Sequence, residues 1–167
     1  DMLFTKFPTL EAYMEQTKWE MRMFQIVETY HGRRRRFSIK NAPNSLRAKA
    51  ERQAVNFKIQ GTNSDIVMSV LCWVAPVIER DLRGRLLGTV HDSMMFQVPK
   101  KYAHQMPALF KEYGTDRVAK YCPWLPVPYR WDVELGANYG SVMPAAKYIE
   151  GLPPEITQQL DGCTEEE

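Results

Sequence analysis

The sequence lacks the marks of a secreted, membrane-spanning or repeat protein. Its 167 residues include three cysteines without paired spacing, and such a sparse, odd set fits a reducing compartment better than a disulfide framework. No apolar run approaches the roughly 20 residues of a membrane span, no signal peptide is visible and no internal repeat is present. We therefore predict no membrane partner.

Charge of one sign is also missing in bulk, because the net charge is only +2. The charges are instead clustered: four arginines run from Arg33 to Arg36, and three glutamates close the chain. With 44% hydrophobic residues the chain can bury a core, which argues against disorder. It opens with Asp1 rather than methionine, and we expect it to be a piece of something longer.

Hydrophobic periodicity and turn residues predict helices and hairpins along the chain. The predicted elements are, in order, a helix at residues 8–25, a basic hairpin or loop at 27–37, a long helical stretch at 45–80, a strand pair at 86–98, a helix at 101–119 and a strand at 129–135. The long stretch is expected to break near residues 57–61 and to restart at a capping box of Thr62 and Asp65. This order predicts an α+β fold, with helices packed on a small antiparallel sheet.

The tight turn of the strand pair carries His91 and Asp92 between two apolar strands. A carboxylate held on such a turn has little entropy left to lose on coordination, which suits a ligand of a divalent metal ion. Aspartate is also common in ordinary hairpin turns, and the dipeptide alone favours that simpler interpretation.

Two further groups of residues could contact nucleic acid. Arg52, Asn56 and Gln60 recur every four residues and would share one face of a continuous helix. One cation and two amides in a row suit the acceptors of the minor groove, which look alike across base pairs. The run Arg33–Arg36 could neutralise phosphates without reading sequence. A solvated helix face and a solvated charged loop are the simpler alternatives.

Taken in order, these features resemble DNA polymerase family A, the family of bacterial DNA polymerase I. Residues 51–66 resemble its segment E-R-x-A-x-N-x-x-x-Q-G-T-x-x-D-I, and residues 89–99 resemble its motif C, V-H-D-E-hydrophobic-x-F-E-V-P. Residues 27–35 are similar to its V-x-T-x-x-G-R-R-R, and residues 133–140 to its closing strand with G-x-N-(aromatic). The resemblance covers most of the chain in the right order and spacing.

The resemblance implies part of a polymerase palm with a few adjoining fingers helices. In such enzymes two Mg²⁺ ions align the 3′-hydroxyl of a DNA primer with the α-phosphate of an incoming deoxynucleoside triphosphate. By position, Asp92 matches the metal-ligating aspartate of motif C, and His91 lies near the primer terminus. The contacts to primer-template DNA that the resemblance implies are Arg52, Asn56 and Gln60 through the minor groove, and Arg33, Arg34 and Arg35 near the backbone.

The resemblance also implies a division of the chain and a location. Residues 1–44 correspond to a fingers-derived helix and basic hairpin, and residues 45–150 to a palm portion with the motif C hairpin. Residues 151–167 form an acidic tail that we predict to be disordered. The implied location is the cytoplasm of a bacterium or of a phage-infected host.

Two departures from the family pattern affect the predicted chemistry. Ser93 stands where the family usually has Glu beside the motif C aspartate, which removes a second carboxylate. The motif A aspartate and the nucleotide-binding fingers helix have no counterpart, and neither Asp65 nor Asp132 matches a family ligand. We therefore expect the isolated chain not to polymerise, and to need the missing N-terminal polymerase segment or a complementary chain.

Two other functions fit some of these residues. A metal phosphohydrolase of the HD type also uses a His-Asp pair, but it needs several metal-binding histidines on helices, and the only other histidines are His31 and His104. A catalytically inactive DNA-binding accessory subunit, derived from the polymerase scaffold, fits both Ser93 and the missing motif A. Motif A in an upstream segment or a neighbouring reading frame would favour the polymerase.

Overall fold

The structure of the protein is a computed structural model that describes residues 2–152. The chain divides into two compact units, Asp1–Met68 and Ser69–Glu167. The predicted division between residues 44 and 45 follows the family's fingers and palm and stays a prediction. The predicted disordered tail at 151–167 lies almost wholly outside the described residues.

The first unit is built from helices around a short hairpin. Its elements are α1 (Met2–Lys6), α2 (Pro8–Phe24), β1 (Ile26–Glu28), β2 (Arg34–Arg36) and the first part of α3 (Asn44–Asp81). The predicted helix at residues 8–25 and hairpin at 27–37 are confirmed. Helix α2 ends where Gln25 takes a positive φ of 53° and donates its backbone N–H to the carbonyl of Met21. The core consists of buried apolar residues: Met21, Val27, Phe37, Ile39, Ala50 and Ala54.

Helix α3 runs from Asn44 to Asp81 without a break, so the predicted interruption at residues 57–61 is wrong. Gly61 lies inside the helix because the chain needs its small size: a Cβ there would lie 2.7 Å from Thr29 Cγ2. The predicted capping box is also wrong, because no helix restarts at Thr62. Its hydroxyl donates to the carbonyl of Lys58 at 2.6 Å, as a mid-helix threonine commonly does.

Helix α3 is also long and apolar enough to resemble a membrane span in length and composition. It contains an 18-residue stretch with a mean hydropathy of 1.3, of which 44% is buried within the protein. The expectation that no segment approaches a span was therefore too strict. A central helix of a soluble protein has the same properties, so length and composition alone are weak evidence for a membrane.

The second unit carries the second part of α3 and a series of short elements. They are β3 (Arg85–Val90), β4 (Ser93–Gln97), a 3-10 helix (Lys100–Gln105), α4 (Met106–Phe110), a π-helix (Lys111–Asp116), α5 (Arg117–Tyr121), β5 (Glu134–Leu135), a 3-10 helix (Tyr139–Ser141), β6 (Met143–Pro144) and α6 (Ala145–Glu150). Three two-stranded antiparallel sheets, β1–β2, β3–β4 and β5–β6, accompany the helices of the two units. The predicted α+β class is confirmed. Within residues 2–152, three small sheets take the place of the single antiparallel sheet that was predicted.

Two predicted elements of this unit differ from the structure. The helix expected at residues 101–119 is divided into 3-10, α and π segments, and the strand expected at 129–135 is reduced to Glu134–Leu135. Packing explains both, because the Trp131 ring lies 5.4 Å from the Phe110 ring at a tilt of 49°, and its indole N–H donates to the carbonyl of Gly114 within the π-helix. Side-chain contacts of this kind hold the segment in place of a strand ladder.

Candidate functional site

The turn between β3 and β4 presents the predicted metal ligand. The two strands pair from Arg85 and Gln97 at the base to Val90 and Ser93 at the tip, which leaves a two-residue turn. That turn consists of His91, with a positive φ of 55°, and Asp92. Positive φ at the first turn residue matches the right-handed twist of a hairpin. Both side chains are exposed, so the carboxylate is available to a ligand.

The side chain of Ser93 is hydrogen-bonded across the turn. Its hydroxyl donates to the carbonyl of Val90 at 2.8 Å. The side chain that replaces the family's glutamate is therefore neutral and bound to its own hairpin. One carboxylate, that of Asp92, remains at the tip.

Close packing holds the base of the hairpin. A Cβ on Gly84 would lie 2.6 Å from both Ile78 Cγ2 and Val98 Cγ1, so the chain between α3 and β3 packs tightly against both sides. Ile78 is fully buried. The ring of Phe96 also meets that of Phe110 edge to face at 6.1 Å. The tip therefore extends from a well-packed base, as a ligand with little freedom requires.

A cleft of about 340 Å³ lies beside the turn, and Asp92, Tyr129, Asp132 and Glu134 are among the residues that line it. Burial is the main reason why the pKa of the Tyr129 phenol is raised, and the negative charge of Asp92 adds to the effect. Sequence reasoning considered Asp132 by position alone and missed Glu134, because only the folded chain brings them to this cleft.

A magnesium site at this turn is not completed by the described residues. Oxygen donors on a rigid turn suit Mg²⁺, and Asp92 supplies one. Within residues 2–152, no group of three His, Cys, Asp or Glu side chains lies close enough to hold a metal ion together. Among the described residues, the turn therefore fits one ligand of a larger metal site.

The stripe of Arg52, Asn56 and Gln60 lies in the first unit. Because α3 is continuous through these positions, the three side chains share one helix face, as predicted. All three are exposed. Their contact with a DNA minor groove stays a prediction, but the geometry that it requires is present.

The arginine run is divided between two sides of the hairpin. Arg33 forms an ion pair with Asp65, with Nε 2.9 Å from Oδ1, and donates from Nη2 to the carbonyl of Gly61 at 2.8 Å. Arg35 donates to Gln53 Oε1 at 3.1 Å, and its guanidinium lies 5.0 Å from the centre of the Phe37 ring. Both arginines therefore contact side chains or backbone of their own unit.

The other two arginines lie on the opposite side of β2, because successive residues of a strand alternate. Arg34 forms an ion pair with Glu28 directly across the hairpin, with Nε 2.6 Å from Oε2. Arg36 is exposed. All four arginines are exposed, but two of them bind α3 and the other two lie on the opposite, outer side of the strand.

Comparison with known proteins identifies the family. The sequence profile described as DNA polymerase family A matches residues 1–141. The chain belongs to DNA polymerase family A. It is 33% identical over 147 residues to DNA polymerase I of Chloroflexus aurantiacus, a match that covers 87% of this chain and 15% of that protein.

Other relatives in the family are bacterial and viral. The thermostable DNA polymerase I of Thermus thermophilus is 35% identical over 137 residues, with 81% of this chain and 16% of that protein covered. The DNA polymerase of Bacillus phage SP01 is 31% identical over 148 residues, with 85% and 16% covered. The chain thus spans about a sixth of the length of these relatives.

A solved structure of the family resembles the fold. It is the POL domain of Pol1 from M. smegmatis, in complex with a DNA primer-template and dNTP. The two structures have a TM-score of 0.64 and 27% sequence identity, and the match covers 76% of this chain and 22% of that chain. The resemblance to DNA polymerase family A is therefore confirmed.

Proposed function

We propose that this chain is the palm portion, with adjoining fingers elements, of a DNA-directed DNA polymerase. The observation that carries the proposal is the position of Asp92, an exposed carboxylate at the tip of a packed hairpin in a family A chain. Its substrates would be primer-template DNA and deoxynucleoside triphosphates, which accompany the solved relative. The proposed location is the bacterial or phage-infected cytoplasm.

In this proposal Asp92 holds magnesium together with carboxylates of the polypeptide that supplies motif A. The bound metal provides Lewis-acid activation of the primer hydroxyl and stabilises charge on the phosphate. His91 orients the primer end from the neighbouring turn position. Arg52, Asn56 and Gln60 donate to minor-groove acceptors, which allows binding without sequence preference.

The decisive experiment uses the complete polymerase, assembled from this chain and the polypeptide that carries motif A. Asp92→Ala should lower the rate of Mg²⁺-dependent primer extension by about a thousandfold or more, while primer-template binding is retained. Asp81→Ala is the matched control, because Asp81 is an exposed aspartate that pairs with its neighbour Arg80. Extension by Asp92→Ala at the wild-type rate would contradict the proposal.

Ser93 supports a second candidate function, a DNA-binding accessory subunit without catalysis. Its neutral hydroxyl leaves the turn with one carboxylate. If the complete wild-type assembly binds primer-template DNA and never extends it, the accessory function is favoured. Ser93→Glu tests the contribution of this position, because a restored carboxylate should change the extension rate or its dependence on Mg²⁺ concentration.

A further inference from the structure

Three side chains tie the first hairpin to helix α3, and we call Thr29, Arg33 and Asp65 the hairpin clamp. The Thr29 hydroxyl donates to Asp65 Oδ2 at 2.7 Å, and Arg33 Nε lies 2.9 Å from Oδ1 of the same carboxylate. The backbone N–H of Arg33 donates to the Thr29 hydroxyl at 3.1 Å, which closes the ring. Thr29 is 4% exposed, so the ring is shielded from water on that side.

Further contacts extend the clamp along one turn of α3. Arg33 Nη2 donates to the carbonyl of Gly61 at 2.8 Å, and the Thr29 methyl fills the space that a side chain at position 61 would need. The backbone N–H of Tyr30 donates to the Thr62 hydroxyl at 3.2 Å. The turn of the hairpin is therefore bound to the helix through side chains and backbone together.

The helix positions that face the hairpin adjoin those that were predicted to face DNA. Phe57, Gly61 and Asp65 are spaced by four, and each of the first two follows Asn56 or Gln60 directly in the chain. One residue along an α-helix turns the direction of a side chain by about 100°. The hairpin therefore lies along one border of the Arg52, Asn56 and Gln60 stripe.

We propose that the hairpin clamp is a positioning device for DNA binding: it fixes the hairpin beside the stripe, so that the outer arginines of β2 lie along the path of the DNA backbone. This inference rests on the proposed function. In this proposal Arg33 binds Asp65 and the backbone of α3, whereas the arginines on the outer side of β2 contact the phosphates. It also makes an acidic residue, Asp65, necessary for binding a polyanion.

The negative charge of Asp65 gives the test. In the complete polymerase, Asp65→Asn removes a negative charge, so a purely electrostatic role for this residue predicts equal or tighter binding of a primer-template duplex. The clamp predicts binding weaker by at least about fivefold for Asp65→Asn and for Arg33→Gln, measured by fluorescence anisotropy. The double variant should bind DNA no more weakly than the single variant with the lower affinity, because both changes disrupt the same clamp.

Salt dependence and a conservative variant separate a clamp from a phosphate contact. If Arg33 bound a phosphate, Arg33→Gln would lower the slope of log Kd against log salt by about 0.9, and Arg33→Lys would largely restore binding. A clamp predicts that Asp65→Asn, which removes no cation, lowers the slope as much as Arg33→Gln does, because both release the outer arginines from the DNA backbone. It also predicts little rescue by lysine, since one ammonium lacks the planar fork that reaches Asp65 and Gly61 together.

A matched control removes an acid of similar surroundings. Glu20→Gln breaks the pair between Glu20 and Lys58, 2.7 Å apart, which joins α2 to α3 in the same unit. It should leave the affinity for DNA within about twofold of wild type, because this pair joins α2 to α3 and takes no part in the hairpin clamp. An equal loss in this control would mean that general destabilisation, and not the clamp, explains the result.

A measurement without DNA separates this inference from the proposed function. Asp65→Asn should speed amide hydrogen exchange at residues 26–36 while most of α3 keeps its protection. Faster exchange with unchanged affinity, or affinity that rises, overturns the positioning role and leaves the polymerase proposal intact. Failure of the wild-type assembly to bind or extend DNA instead overturns the proposed function, and the positioning role with it.

Discussion

The two hairpins of this chain are held in different ways. The first, β1–β2, is bound to α3 by polar side chains, with Asp65 accepting from Thr29 and pairing with Arg33. The second, β3–β4, is held at its base by apolar packing around Gly84 and Phe96. Thr29, Arg33 and Asp65 at the first hairpin bind one another, whereas Asp92 at the tip of the second is exposed.

This contrast shows that clustered charge and chemical availability are separate properties. Four consecutive arginines are the most conspicuous polar feature of the sequence, and three of them bind groups of their own unit. A single aspartate between apolar strands is far less conspicuous. Because its anchoring is apolar, the second hairpin leaves its polar turn to interact with a ligand.

Neutralising one carboxylate at each hairpin should give the largest difference. Asp92→Asn is expected to lower kcat for nucleotide addition by about a thousandfold, because a metal ligand stabilises the transition state by several kcal/mol. Asp65→Asn should instead weaken DNA binding and leave kcat at saturating DNA within about threefold. Steady-state extension kinetics over a range of primer-template concentrations measure both, and equal effects on kcat would remove the distinction.

The base of the second hairpin should be intolerant of added volume. Gly84→Ala should lower the free energy of unfolding by about 1–3 kcal/mol, since its Cβ would also lie 2.9 Å from the backbone oxygen of Gln97. Gly88→Ala in the same hairpin is the control, because its Cβ would meet Met95 Cε at an ordinary 3.8 Å. Urea denaturation of both variants checks the prediction, and similar stabilities would contradict it.

The first hairpin should depend on a hydroxyl. Thr29→Val removes the donor to Asp65 and the acceptor for the Arg33 N–H, and we expect a loss of about 1–2 kcal/mol in unfolding free energy. Thr17→Val is a fully buried control whose hydroxyl donates to the Tyr13 carbonyl within α2. It should cost less than about 1 kcal/mol, since helix carbonyls accept backbone bonds as well. Equal losses would show that the clamp adds no stability.

The smallest expected effect is a dependence on acid in the unit of the first hairpin. The hydrogen bond from Arg22, at 2.7 Å, lowers the pKa of the Glu51 carboxyl below its usual value. A lowered folded pKa means that the stabilisation is present above about pH 4.3 and is lost as the pH falls below it. Because the Arg22 side chain is half exposed, the contribution should be at most about 1 kcal/mol.

Denaturation of wild type and Glu51→Gln at about pH 6 and about pH 3 measures this contribution. The two proteins should differ at the higher pH and converge at the lower one. A constant difference would mean that the ion pair is not the source of the stability, and high salt should reduce the difference at the higher pH.

Local signals made much of the fold predictable. The spacing of apolar residues predicted α2, and His31 and Gly32 predicted a turn in the first hairpin. A turn between apolar strands predicted the second hairpin, with His91 and Asp92 at its tip. The same local signals were misleading at Gly61 and Thr62, which look like a break and a cap. The close contact with Thr29 explains why a glycine occupies position 61. Thr29 lies too far along the chain for the sequence around position 61 to reveal this contact.

The candidate site was predictable only where one element supplies it. The stripe from Arg52 to Gln60 follows from helical spacing once the helix is continuous. The role of Asp65 as a partner of Thr29 and Arg33 links residues more than thirty positions apart. The cleft beside Asp92 likewise depends on where Asp132 and Glu134 fold back, which neither motif nor periodicity indicates.

The unbroken course of α3 carries a consequence for how this segment can vary in length. Between Gln53 and Asp65 every fourth residue of the helix faces the hairpin, and the residues next to these form the stripe. Inserting or deleting one residue there would rotate everything beyond it by about 100°, and the stripe would turn away from its present direction. Relatives that bind DNA in this way should therefore tolerate substitutions here while keeping the residue count constant.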